Sequence, residues 1–228
     1  MKYIFSIIFV ALIGFGAHAA AISEIEMSTK GQTLVGVGVG VPPFSEGVDA
    51  NLPCLSVNFS AGLISGFINT PLFGRNGAVD VGLNYAVCHY GSKFGLYNTC
   101  QEVKVFQNTL VARSAFHFQF VNNLDTYAGV CVGVNICSES FLERTTYSEA
   151  SIFEQWDHIE KNTFSPVLGV YLGVKWFFSE KFALGFDFAN DFLRTDDEAC
   201  EEAYNYSHYG GSALPVVSIV ASLRLGNK

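Results

Sequence analysis

The chain has 228 residues, of which 50% are hydrophobic and only 15% charged, and its formal net charge is −8. Soluble domains carry about 25% charged residues, so this balance excludes an ordinary water-solvated globule. The acidic sign excludes nucleic acid as a partner, because phosphate binding needs clustered Lys and Arg.

The first residues read as an export signal. Lys2 gives a positive start, Tyr3 to Phe15 is an uncharged apolar run, and Ala17-His18-Ala19 is the small-x-small pattern at which a signal peptidase cuts. The run is shorter than the about 20 residues of a spanning helix. Residues 1–19 are therefore expected to be a cleaved signal peptide and residues 20–228 a single domain. Six cysteines in an exported chain fit an oxidising compartment. No later stretch is apolar enough to be a spanning helix, and the remaining membrane solution is a closed barrel whose strands satisfy one another's backbone.

A period of two runs through the rest of the chain. It begins at Val35 to Gly40, where Val alternates strictly with Gly, a residue costly in helices. The second segment, Leu55 to Phe67, sets Leu55, Val57, Phe59, Ala61 and Leu63 against Ser56, Asn58, Ser60 and Gly62. The third, Val79 to His89, sets Val79, Val81, Leu83, Tyr85 and Val87 against Asp80, Gly82, Asn84 and Ala86. The fourth, Val105 to Phe120, opposes Phe106, Leu110, Ala112 and Phe116 to Gln107, Thr109, Arg113 and His117. The fifth, Thr126 to Cys137, opposes Val130, Val132, Val134 and Ile136 to Tyr127, Gly129, Gly133 and Asn135. The sixth, Phe164 to Phe178, opposes Leu168, Val170, Leu172 and Val174 to Gly169, Tyr171, Gly173 and Lys175. The seventh, Phe182 to Phe192, opposes Leu184, Phe186 and Phe188 to Gly185, Asp187 and Ala189, and the eighth, Pro215 to Leu225, opposes Val217, Ile219, Ala221 and Leu223 to Ser218, Ser222 and Arg224. The less apolar face is small as well as polar, which suits the interior of a narrow barrel.

Connection lengths give an independent test. The even connections are short: Thr70 to Asn76, Asn122 to Asp125, and Ser179 to Lys181. The odd ones are long: Pro42 to Cys54, Tyr90 to Lys104, Ser138 to Thr163, and Leu193 to Leu214. That alternation is expected of a barrel with short periplasmic turns and long outer loops. Phe118, Phe120, Trp176, Phe178 and Phe182 would form an aromatic girdle at the turn end, and Tyr90, Phe106 and Phe164 one at the outer end. The fold class expected is all-β: an eight-stranded antiparallel up-and-down transmembrane barrel.

This layout, and the unit Gly169-Val170-Tyr171-Leu172-Gly173-Val174-Lys175-Trp176-Phe177-Phe178-Ser179-Glu180-Lys181-Phe182-Ala183-Leu184-Gly185, resembles the small outer-membrane barrels of the outer-membrane protein A, X and W type. The resemblance covers essentially the whole of residues 20–228. It departs at Leu225-Gly226-Asn227-Lys228, where those families commonly carry a terminal aromatic residue and Leu225 is the nearest apolar one. It implies location in the outer membrane, with membrane lipid and the outer-membrane assembly machinery as partners. The role implied is structural or surface-interacting, with a narrow channel for small, even hydrophobic, molecules as the alternative. A secreted lipocalin-like carrier is a further alternative, but its charged exterior is missing.

Asp80, Arg113, His117, Lys175, Asp187 and Arg224 are the ionisable residues expected in the lumen, with Lys175 and Asp187 near enough to pair diagonally. Mutual neutralisation is the expected role, since a narrow lumen tolerates no unpaired charge. No catalytic residue is expected: His117 lacks the Ser two positions on that barrel lipases carry, and Ser207-His208 has no positioned base. Cys88 and Cys100 flank the second outer loop and are candidates to staple it. Cys137 and Cys200 are candidates at the third and fourth loops, and Cys131 is expected to keep its thiol in the lumen. No Cys-x-x-Cys or Cys/His spacing supports a metal, and no cofactor is expected. Glu139, Glu143, Glu149, Glu154, Asp157 and Glu160, then Asp196, Asp197, Glu198, Glu201 and Glu202, make the last two outer loops acidic. They are expected to form a solvated face, or otherwise one that binds a small molecule or a host surface ligand.

Overall fold

Segments that alternate apolar and small residues satisfy a sheet and not a helix, and every regular element among the described residues is a strand. The computed structural model describes residues 31–41, 53–65, 75–96, 99–121, 123–146, 154–192, 214–215 and 217–225. The expected signal peptide lies outside them. In chain order the strands are β1 (Thr33–Val41), β2 (Cys54–Ser65), β3 (Arg75–Leu96), β4 (Thr99–Val121), β5 (Leu124–Thr146), β6 (Glu154–Phe177), β7 (Phe182–Asp191) and β8 (Val217–Leu225). Each pairs antiparallel with the next, and β8 pairs with β1, so the sheet closes into an eight-stranded barrel with no edge inside the wall.

The register fixes the bore. From Val39 the row of paired residues runs through Leu55, Val87, Asn108 and Ile136 to Phe164 on β6. Followed the other way, through Ile219 and Phe186, it returns to β6 at Val174, ten residues along the same strand. A stagger of that size around eight strands tilts them by about 40–45° and leaves an interior that side chains fill.

Side chains sort by parity. Val37, Leu83, Val130, Val132, Leu172 and Phe188 face outward and are exposed, while Asn58, Asp80, Gln107, Asn135, Lys175 and Arg224 face inward and are buried. This is the reverse of a water-soluble barrel. Two details escape simple alternation. A bulge between Gly62 and Ile64 turns both Leu63 and Ile64 outward. On β8 the inner face also holds Val220, which is buried among the polar residues.

The short turns follow local chemistry. Between β4 and β5, Asn123 adopts φ 65°, a left-handed conformation that Asn accepts more readily than most residues, and its carbonyl accepts from the Phe177 N–H at 2.8 Å. Between β6 and β7, the Ser179 hydroxyl accepts from the Phe182 N–H at 3.0 Å.

Strand lengths correct the expected outer loops. β3 to β6 run 22, 23, 23 and 24 residues, whereas β1, β2, β7 and β8 run 9, 12, 10 and 9. Tyr90 to Lys104 is a paired hairpin up to Leu96↔Thr99, and most of Ser138 to Thr163 continues the β5–β6 ladder up to Thr146↔Glu154. The apolar alternation stops there although the pairing does not. Phe106, Ile136 and Phe164 are exposed, and the next outward positions are Lys104, Ser138 and Asn162. A sheet standing in water has no apolar face to announce it. The expected loops around 42–52 and 193–213 lie outside the described residues.

Above Leu168, no described strand pairs with the β7 side of β6. The last bond of that ladder runs from the Phe192 N–H to the Leu168 carbonyl at 2.7 Å. Backbone groups of alternate residues face the same side, so Pro166 is the next residue turned toward β7, and it has no N–H to offer. Toward β5 it opposes Val134 at a position that needs no donor.

Candidate functional site in the barrel lumen

The register decides which inward side chains meet. Tyr127 on β5 lies opposite Gly173 on β6, which lies opposite Asp187 on β7. The ring crosses the glycine, and its hydroxyl donates to Asp187 Oδ1. A Cβ on Gly173 would stand 2.2 Å from Tyr127 Cζ, so only glycine permits this crossing. The arrangement is reciprocal: Tyr171 on β6 lies opposite Gly129 on β5, and a Cβ there would be 2.7 Å from Tyr171 Cζ.

Charges are packed around these two rings. The Arg113 guanidinium lies 3.9 Å over Tyr171, with both terminal nitrogens 3.4 Å from Asp187 Oδ2. Lys175 Nζ lies 4.5 Å over Tyr127, and Arg224 caps Phe177 at 4.5 Å. His117 is clamped between two carboxylates. Its Nδ1 lies 2.9 and 3.0 Å from the two Asp125 oxygens, and its Nε2 lies 3.1 Å from Asp80 Oδ2. The Nδ1 contact is a hydrogen bond, whereas Nε2 meets Asp80 as an ion-pair contact without hydrogen-bond geometry. The other Asp80 oxygen accepts from the Ala115 N–H at 3.1 Å. Three acidic residues thus stand among two arginines, a lysine and a histidine: Arg113 and His117 meet carboxylates, while Lys175 and Arg224 lie over aromatic rings.

All six expected ionisable residues therefore line the lumen, and the structure pairs four of them: Asp187 with Arg113, and Asp80 with His117. Lys175 and Asp187 do not pair as expected. Asp187 is taken by Arg113 and Tyr127, and Lys175 lies opposite Gly185, with its ammonium on the Tyr127 ring. Asp125 was missed by the sequence reading. It sits one residue past the start of β5 and looked like part of the turn, but it is wholly buried. Its signal was parity, since it shares the face of Tyr127.

The charged groups occupy the half of the lumen next to the short turns. Toward the other end the inner face mixes neutral residues with carboxylates: Thr109 donates to Asn135 at 3.0 Å, Val111, Val167 and Leu214 pack with Tyr171, and Glu139 accepts from the Cys137 thiol at 3.5 Å. Among the described residues, small voids of about 30 Å³ beside Asn84, Arg113 and Tyr171 and about 10 Å³ beside Asp80, His117 and Lys175 lie in the lumen. A water needs about 10–15 Å³ measured in this way, so these hold a few waters and no solute. Among the described residues, no three His, Cys, Asp or Glu side chains converge as a metal site.

The cysteine expectation needs correction. Cys88 is joined to Cys54, not to Cys100. Leu55↔Val87 pairing sets Cys54 and Cys88 opposite each other, with Cα atoms 4.3 Å apart. Cys100, by contrast, lies opposite Gly95, seven residues up β3 from Cys88. Cys131 and Cys137 are buried thiols, and Cys200 lies outside the described residues. The acidic residues are partly on strands: Glu139 lies opposite Lys161, and Glu160 opposite Ser140. Glu143, Glu154 and Asp157 are also strand positions. Glu149 and the run from Asp196 to Glu202 lie outside the described residues.

No protein-family model matches the chain, and no curated protein matches it. Among solved structures it is similar to Ail, the attachment invasion locus protein of Yersinia pestis, crystallised with the heparin analogue sucrose octasulfate. Identity is 12% over 86% of this chain and 100% of Ail, with a TM-score of 0.39. It is also similar to Neisserial surface protein A, at 14% identity over 87% of this chain and 99% of that one, with a TM-score of 0.40. The architecture itself rests on the closed register: this is an eight-stranded antiparallel barrel with an apolar outside and an inside that buries polar and charged residues.

Proposed function

We propose that the chain is an integral outer-membrane barrel with a structural and surface-interacting role, and that its lumen does not conduct. The observation that carries this reading is the outward belt. Large apolar side chains stand exposed on all eight strands, Val37, Leu55, Leu83, Leu110, Val132, Leu172, Phe188 and Leu225 among them, around a closed wall with buried ions inside. Hydrocarbon is the one solvent that suits such a surface. The export signal at 1–19 and the resemblance of the strand-turn-strand unit point to the outer membrane. The four-stranded extension of β3–β6 beyond the belt supports a role at the surface.

Fractionation with heat-modifiable gel mobility tests the assignment: the protein should need detergent for extraction and migrate faster unboiled. Spin labels at Val81 and Leu172 should report lipid. Recovery in the aqueous fraction, or labels in contact with water, would refute the reading. In planar bilayers the purified barrel should be silent, because paired ions and tyrosines fill the bore, and unitary conductance steps would overturn the closed lumen.

A further inference from the structure

Asn190 on β7 is a polar side chain turned toward lipid. It has the parity of Phe188 and Phe192 and is exposed with them. Opposite it on β6 stands Val170, with Phe164 and Leu168 above and Leu172, Val174 and Trp176 below on the same outward face. The carboxamide therefore lies well inside the apolar belt, where hydrocarbon can neither donate to it nor accept from it. Among the described residues it has no hydrogen-bond partner.

Two other outward polar side chains of the belt are answered within the barrel. Asn108 accepts from the Tyr85 hydroxyl at 2.8 Å, and the Ser114 hydroxyl donates to the Asp80 carbonyl at 2.9 Å. Neither solution is open to Asn190. Its outward neighbours Val170, Phe188 and Phe192 carry no polar side-chain atom.

Resting on the outer-membrane reading above, we infer that this face of the wall binds a second copy of the chain. Asn190 of each copy pairs with Asn190 of the other across a two-fold axis normal to the membrane. A carboxamide is its own complement, because the electron-rich carbonyl oxygen of one faces the electron-poor N–H of the other, and two N–H···O bonds form. Copies inserted the same way up hold residue 190 at one depth, and a two-fold axis brings the same patch of each together at that depth. The exposed Leu168, Leu172, Phe188 and Phe192 supply apolar contact around the pair. A lipid tail fills the same place but leaves the amide unanswered. Side-chain amides bonded between helices stabilise membrane bundles in the same way.

The test takes the full chain, folded in density-matched detergent micelles, through sedimentation equilibrium at a series of protein-to-detergent ratios. A reversible monomer–dimer equilibrium is expected. Asn190→Leu, which keeps the volume and removes both bonds, should raise the dissociation constant about tenfold. Asn190→Gln keeps a carboxamide and should still dimerise. Asn108→Leu lies three strands away around the wall and should leave the equilibrium unchanged. A monomer at every ratio, a dimer indifferent to Asn190→Leu, or an equal loss in Asn108→Leu would each overturn the inference. Fast unboiled gel mobility is required of every variant, so a lost dimer is not mistaken for a lost fold. Flotation with phospholipid vesicles separates the two readings: a chain that floats as a monomer sinks this inference alone, and one that never floats sinks the membrane reading and this inference with it.

Discussion

Strands β3–β6 and strands β7, β8, β1 and β2 build the same wall, but they behave differently above it. Within the belt both sets put apolar residues outward and small or polar ones inward. The shorter set then ends near Val41, Cys54, Asp191 and Val217, while the longer set continues upward as a four-stranded sheet. A barrel closes only as high as its shortest strands. Above that height the long strands keep their ladder bonds but lose the apolar outer face, as at Lys104, Ser138 and Asn162. Lipid contact and strand pairing are thus separable requirements, and only the first is written as hydrophobic alternation.

Five changes probe that difference, the largest expected effect first. Asp187→Leu removes the partner of Arg113 and the acceptor of Tyr127 deep in the wall. It should cost about 3–5 kcal/mol in urea unfolding from micelles, and the double variant with Arg113→Leu should recover much of that. Val132→Arg, in the belt, should cost about 2–4 kcal/mol by the same measurement. Asn162→Arg, above the belt, should cost about 0–1 kcal/mol, and equal costs at the two positions would mean that the belt does not end where the side chains change. Gly173→Ala forces Tyr127 off its path to Asp187 and should cost about 1–3 kcal/mol by overpacking. Replacing residues 142–158 with a short turn removes only the top of the β5–β6 hairpin, so the unboiled barrel should keep its fast gel mobility. Loss of that mobility would show that the extension helps to close the wall.

Much of the wall was legible because lipid on one side and a narrow bore on the other force a period of two on every strand. The pattern found all eight strands. It failed where that pressure is absent. Tyr90–Lys104 and Ser138–Thr163 read as loops because a strand with water on both faces carries no apolar stripe. The disulfide was misassigned because loop flanks suggested Cys88–Cys100, whereas the partner is set by register, which places Cys54 across the strand. Val220 was passed over because the inner face of β8 was taken as polar. The lumen residues on strand interiors were visible by parity, and Asp125 was not, lying a single residue beyond a turn.

Pro166 gains meaning from its height. It sits where the wall stops being continuous, and its ring puts a blank where the next rung toward β7 would form. In a crowded membrane, flat neighbours drift past one another with their flanks exposed, and a zipper started at the lipid surface would fuse them. Without an N–H at that level, the β7-facing flank of β6 offers any incoming strand one donor fewer.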